Sequence, residues 1–260
     1  MKDERVEWYD ANKKVAVTIV DVTTAAQELV RGHLCGPTSA HYLAEALSAV
    51  ALLGAEVSEK DETVILQMKC KGPLGGFNVE CTSDGTLRGY TERKILEDFD
   101  GLGKPKDKLV IGDAQYQVTR SIPGKILSQG ISSSLDCYLA GSLQRKATIQ
   151  LEAAVNDECE VSEARGILVE ELPDGKDTGA LGVRFKSLAV AERNLLRQLN
   201  LGSAELKKTT PLKFACRCTP ERAMAMLSAL SADERKALPP KIDITCHMCG
   251  KTYTIKTGEI

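Results

Sequence analysis

Apolar and polar positions along this chain recur with two periods, and the places where the period changes divide it into elements. Lys14 to Val20 is a short valine-rich run with strand character. Thr23 to Leu34 and Pro37 to Ala55 carry helical spacing, the second opened by Gly36-Pro37. The period then drops to two over Thr63 to Lys71, Phe77 to Thr82 and Thr86 to Tyr90, which predicts a three-stranded meander. Its turns fall at Gly72-Pro73-Leu74-Gly75-Gly76 and Ser83-Asp84-Gly85. The glycine-rich turn lacks the Lys-Ser/Thr of a phosphate loop and joins strand to strand, so it reads as a turn.

Beyond Tyr90 the signal weakens. Leu109 to Ile111 and Tyr116 to Ser121 read as strands, Ser133 to Leu143 as a helix, and Thr148 to Val155 and Gly166 to Glu170 as strands. Pro173-Asp174-Gly175 marks a turn and Leu181 to Phe185 a last strand. Ser187 to Leu201 is a charged helical segment with Leu188, Leu195, Leu196 and Leu199 on one stripe, broken by Gly202 and Ser203.

The final stretch is small and lean in apolar residues. Ala223, Met226, Leu227 and Leu230 form a helical stripe preceded by Thr219-Pro220-Glu221, an N-cap, a first-turn proline and an acidic first turn. Ser231 to Glu234 is a capping box opening a second short helix, which Pro239-Pro240 ends. Ile242 and Ile244, then Tyr253 and Ile255, alternate with polar residues as a hairpin would.

At the tip of that hairpin and ahead of the first helix lie four cysteines, Cys216-Arg217-Cys218 and, 27 residues later, Cys246-His247-Met248-Cys249. Two close pairs from different segments supply the four soft donors that Zn²⁺ takes in a tetrahedron. The CxC half is tighter than the two-to-four-residue spacing of ordinary structural zinc pairs. Each pair could also close on itself as a disulfide, and a permanently structural zinc knot explains the four ligands as well as a switch does. The energies differ greatly: zinc contributes about 10–16 kcal/mol in small Cys-ligated modules, whereas a disulfide across so short a loop returns only about 1.5–2 kcal/mol. Exchanging one for the other should unfold a module of about 50 residues. A helix N-terminus beside Cys218 favours its anion. Four thiols complete the shell, so His247 is not needed as a ligand.

Composition sets the frame. The chain has 260 residues, 43% of them apolar, and a net charge of −2, which gives no overall reason to expect nucleic acid. From Glu205 onward ten Lys/Arg face six Asp/Glu, leaving +4 on the tail and −6 on the body. The opening run Met1-Lys2-Asp3-Glu4-Arg5 has no apolar targeting segment, and Leu43 to Ala55, the longest apolar stretch, is too short to span a bilayer. A cytosolic protein is expected, and nine cysteines, an odd number, argue against a secreted disulfide framework. Cys35, Cys70, Cys81, Cys137 and Cys159 are isolated and read as packing residues. Catalysis is not expected, because four thiolates leave zinc no open position and His33 and His41 lack an evident nucleophile partner. The reading is an α+β chain: a mixed core with antiparallel strands (1–184), a helical linker (185–210) and a small Cys₄ zinc-binding domain (211–260).

The spacing of Cys216, Cys218, Cys246 and Cys249, with Pro211-Leu212-Lys213-Phe214 before and Gly250-Lys251-Thr252-Tyr253 after, resembles the redox-regulated 33 kDa heat-shock chaperone family. Leu66-Gln67-Met68-Lys69, the Gly72 to Gly76 turn, Ser83-Asp84-Gly85 and Arg88-Gly89-Tyr90 resemble that family's core motifs. The likeness covers about residues 23–92 and 185–256. In the middle, where the family has an acidic stretch before a Tyr-Leu and then a Ser-Glu-Gln, this chain has Ile131 to Ser134 and Leu135-Asp136-Cys137 before Tyr138-Leu139, then Ser142-Leu143-Gln144.

The resemblance implies an ATP-independent holdase. While reduced, the four cysteines would bind one Zn²⁺ per chain and the protein would be inactive. Oxidants would join Cys216 with Cys218 and Cys246 with Cys249, release the metal, and unfold the domain and a metastable linker. Unfolding client proteins would then be held, by a homodimer. The other reading from the residues alone is a constitutive zinc-ribbon-type module that binds nucleic acid or a protein partner through its basic tail.

Overall fold

A computed structural model, which describes residues 2–173, 175 and 177–259, places one helix between two sheets. That helix, α2 (Pro37–Leu53), buries fifteen of its seventeen residues and lies against strands of both sheets. A helix apolar on all sides is stable only when enclosed, and PTSAHYLAEALSAVALL has only Glu45 as a charged residue. Helix α1 (Thr23–His33) packs beside it. No side chain at its own N-cap serves α1; instead the buried Asp3 carboxylate accepts from Thr24 N (3.0 Å) and Ala25 N (2.6 Å).

The first sheet comprises β1 (Glu4–Asp10), β2 (Val15–Asp21), β8 (Lys146–Val155), β9 (Val161–Glu171) and β10 (Glu205–Pro211), in the order β10-β1-β2-β9-β8, antiparallel throughout. The second holds β3 (Thr63–Cys70), β4 (Gly76–Thr82), β5 (Thr86–Thr91), β6 (Ala114–Ile122), β7 (Lys125–Ser132) and β11 (Lys213–Phe214), in the order β11-β5-β4-β3-β6-β7. The expected meander is β3-β4-β5, and the glycine-rich segment is a strand-to-strand turn whose Gly72 N donates to Ile111 O at 2.8 Å. Val64, Leu66, Met68, Val79, Cys81 and Leu87 alternate onto the face turned to α2.

The opposite face of the first sheet carries Val6, Trp8, Val17, Ile19, Ile167 and Val169, and residues 180–204 cover it. Within that cover, Leu188, Leu195, Leu196 and Leu199 are buried, as the leucine stripe predicts, and so is Leu201. Trp8, the chain's only tryptophan, is held there: its Nε1 donates to Glu192 Oε2 at 3.1 Å and the Arg193 guanidinium lies 4.3 Å from the ring centroid. From Leu201 the chain then runs along both sheets, as β10 on β1 and as β11, parallel, on β5.

Several expectations are corrected. Leu109 to Ile111 is not a strand: Asp107–Val110 is a helical turn, α3, whose Val110 is buried, and Val110 O and the following Ile111 O accept from Leu74 N and Gly72 N of the glycine-rich turn. Ser133 to Leu143 shortens to the turn α4 (Leu135–Cys137) and a wide turn over Tyr138–Ser142. Leu181 to Phe185 forms a 3-10 turn, Ala180–Gly182, and an extended stretch that pairs with no sheet. The helix expected over Ser187 to Leu201 is regular only as α5 (Glu192–Gln198). Asp174 of the expected Pro173-Asp174-Gly175 turn lies outside the described residues. Strands β1, β7 and β10 carry no apolar alternation strong enough to see: β7 is almost wholly exposed, and β10 reads ELKKTTP. Among the described residues no helix is long and apolar enough to cross a membrane.

Candidate metal centre

The last fifty residues build a compact mount for four thiols. Helix α6 (Pro220–Ser228) begins as expected, Thr219 Oγ1 accepting from Arg222 N at 3.2 Å with Pro220 at the first helical position. Helix α7 (Ala232–Lys236) has the full capping box between Ser231 and Glu234. Strands β12 (Lys241–Thr245) and β13 (Thr252–Lys256) pair from Lys241↔Lys256 to Thr245↔Thr252, so the CxxC is the hairpin tip. Cys246 N donates to Lys251 O and Gly250 N to Cys246 O, both at 2.9 Å, and Gly250 takes a φ of +73° that closes the turn. The expected stripe is partly right: Ala223 and Leu227 are buried with Ile255, but Met226 is exposed and Met224 packs inward in its place. Three buried side chains are a meagre core.

Ahead of α6 and at the hairpin tip, the sequence-expected set comes together. The Sγ atoms of Cys216, Cys218, Cys246 and Cys249 all lie within 4.8 Å of one another. Between the two motifs, Cys216–Cys246 is 3.8 Å and Cys218–Cys249 3.4 Å. Zinc–sulfur bonds of about 2.3 Å in a tetrahedron require S···S edges of about 3.8 Å. The donor type, number and spread therefore fit one tetrahedral soft cation. Tyr253 Oη, donating to Cys218 O at 3.1 Å and lying 3.2 Å from Cys218 Sγ, fixes one donor.

The electrostatics of the four thiols are unequal. At Cys216 burial favours the neutral thiol, but it is outweighed by the Cys218 backbone N–H, the Arg88 guanidinium and neighbouring thiols, which bring its pKa down to about 7. Burial raises Cys246 and, further, the most enclosed of the four, Cys249. Without a cation, four negative sulfurs at these separations would repel strongly. A divalent cation is what would let them all ionise.

The residues that seat this cluster on the core lie in one short motif, Arg88-Gly89-Tyr90 of β5. Arg88 Nη1 is 3.7 Å from Cys216 Sγ; Gly89 N donates to Met248 O at 3.2 Å; the Tyr90 and His247 rings meet edge-on, centroids 5.6 Å apart. The buried Glu80 carboxylate pairs with Arg88 and, at 3.1 Å, with Arg217, the residue between the two cysteines of the CxC. Behind them the buried His33 Nε2 meets Gly89 O at 2.8 Å, and burial lowers its pKa. A Cβ on Gly250 would sit 1.9 Å from Gly32 O, and one on Gly32 would sit 2.6 Å from Cys249 O. Glu80, Gly32 and His33 were not identified from sequence. Arg88-Gly89-Tyr90 stands out in the sequence only through its resemblance to a family motif, which assigns it no role.

His247 points to Tyr90 and is not among the four donors. The other cysteines pack as expected where buried: burial pushes Cys35 and Cys81 up to about 11. Cys137 is exposed.

Two sheets, antiparallel except where β11 meets β5, around an enclosed helix, with a four-cysteine cluster docked on one of them, define an α+β protein with a thiol centre that could hold a metal ion. The Hsp33 protein family profile matches residues 3–256. A 33 kDa chaperonin of Thermus thermophilus is 28% identical over 94% of this chain and 81% of its own length. One from Symbiobacterium thermophilum is 27% identical over 100% and 96%. The crystal structure of a 33 kDa chaperonin, Heat shock protein 33 homolog, from Thermotoga maritima shares the fold with a TM-score of 0.83 at 20% identity, covering 100% of this chain and 96% of that one. The chain belongs to the Hsp33 family.

Proposed function

We propose that this protein is an ATP-independent holdase switched on by oxidation of its four clustered cysteines. The observation that carries the reading is the continuity from the thiols to the cover of an apolar sheet face. Cys216 follows directly on β11, β11 on β10, and β10 on the leucine-rich segment that buries Val6, Trp8, Val17 and Ile19. A module with three buried apolar side chains depends on its four-sulfur staple. Loss of that staple frees the strap, and the strap's release bares a broad apolar surface of the kind that captures non-native chains.

In this reading residues 1–184 are the client-binding and dimerising core, 185–210 a metastable linker and 211–260 the switch. One Zn²⁺ per reduced chain would be held by Cys216, Cys218, Cys246 and Cys249, and would supply the cross-link that the module's core is too small to provide. Oxidation joins Cys216 to Cys218 and Cys246 to Cys249. Each zinc-bound pair of thiolates gives two electrons to one peroxide, which takes up two protons from solvent and leaves as two waters, and the donors that held the metal are gone. Against burial, the Cys218 backbone N–H and the Arg88 guanidinium bring Cys216 down to about 7, which favours thiolate chemistry near neutral pH. The oxidised form acts as a homodimer in the cytoplasm. The family assignment and the relatives named 33 kDa chaperonin support this reading.

The direct measurement follows metal release with a chromogenic chelator alongside light scattering from an aggregating client. Peroxide with mild heat, or hypochlorite, is expected to release one zinc per chain and suppress scattering, and dithiothreitol-treated protein to do neither. Zinc release without suppression would refute the holdase reading.

A further inference from the structure

Strand β10 is an odd occupant of a sheet edge. Five of its seven residues in succession, Glu205 to Thr209, are exposed, and it is tied to β1 chiefly by backbone hydrogen bonds. It also carries three devices that keep an edge from recruiting further strands: a lysine pair, Lys207-Lys208; a terminal proline, Pro211; and a register shift opposite Glu7/Trp8 that leaves Lys207 unpaired in the ladder. The strand beneath it has none of the last two. β1 is an unbroken seven-residue strand without proline, in perfect register with β2, and its Val6 and Trp8 point to the apolar face while its backbone points at β10. The resting sheet is therefore closed by a polar, blunted strand laid over an edge well suited to pairing.

Resting on the holdase reading above, we propose that the edge of β1 vacated by β10 is a client-docking site, and that a non-native polypeptide binds there as an added antiparallel strand. The occupant is defined by the strand it replaces. Thr209 stands opposite Val6, and Leu206 opposite Trp8. An extended client segment with apolar residues at alternate positions would place them where Thr209 and Leu206 now lie, continuing the Val6 and Trp8 face. Backbone pairing supplies affinity without sequence demands, while the neighbouring apolar surface favours segments that belong in a core. Folded proteins offer few such segments, and β10 presents the wrong chemistry to compete once its anchor at Cys216 is lost.

The test is hydrogen exchange on the full-length protein with heat-unfolding citrate synthase as client, scattering being followed on the same samples. Within residues 4–10 the alternate amides that face β10 are expected to be protected when reduced, to lose protection on oxidation, and to regain it when client is bound, while those paired with β2 stay protected throughout. A Thr209→Ile variant, which adds an apolar cross-strand partner for Val6, should hold β10 in place and lower client capture several-fold with zinc release unchanged. Suppressed scattering with the β10-facing amides of β1 still open in the complex, or protected throughout, overturns the proposal while leaving the holdase reading intact. Failure to suppress scattering at all removes that reading and the proposal together.

Discussion

Gly250→Ala should leave the reduced protein with a loosened switch and chaperone activity that no longer requires an oxidant. Two penalties coincide at this position. The residue holds a φ of +73°, where a side chain costs about 1–2 kcal/mol, and its new methyl would lie 1.9 Å from the carbonyl oxygen of Gly32. The Cβ is fixed by its own backbone and the oxygen it meets is backbone, so neither can turn aside by a side-chain rotation. The CxxC tip must lift from α1, taking with it the Gly89–Met248 hydrogen bond and the Tyr90–His247 contact. Gly32→Ala separates docking from turn closure. Alanine is favoured over glycine inside a helix by about 1 kcal/mol, so α1 alone would gain, yet the methyl would press on Cys249 O at 2.6 Å. Its zinc should stay bound under reducing conditions and be lost more readily to peroxide. Wild-type zinc retention and scattering behaviour in both variants would mean that the cluster works without its seat on the core.

Cys249→Ser should be the more drastic change. Cys249 is the most enclosed of the four donors, and serine withdraws a soft ligand from a site with no spare one. Zinc supplies about 10–16 kcal/mol to comparable modules, and a three-ligand site keeps only part of it. The expected product is a protein that is purified with little metal, shows a protease-sensitive tail beyond about residue 185, and suppresses client aggregation even in dithiothreitol. Limited proteolysis and metal analysis read this directly. A metal-poor variant whose tail resists protease as the wild type does would show that the thiol cluster is not the staple.

What could be read from the sequence follows how strongly each segment's burial is written into its own side chains. Helix α2 and the β3-β4-β5 meander are flanked by core on one side or all round, so their apolar positions announce them. The thiol cluster was legible because ligand chemistry demands four cysteines in two close pairs, whatever the fold. Strands β1, β7 and β10 were not, since β1 mixes Glu4, Arg5, Glu7 and Asp10 with its apolar residues and the other two are edges held by backbone pairing. The seat of the cluster escaped for a different reason. Gly32 and His33 on α1, and Glu80 on β4, become neighbours of the cysteines only after the chain has folded across more than a hundred residues. Nothing local distinguishes a glycine that must admit a carbonyl from one that merely sits in a helix.

The solitary indole gives the molecule its own optical gauge. Trp8 is far in the chain from every thiol of the cluster and is clasped by Glu192 and Arg193, so chemistry at sulfur alone leaves its surroundings dry. Only departure of the leucine-rich cover wets it, and a red shift in its emission would time that departure, label-free, against the moment at which metal is given up.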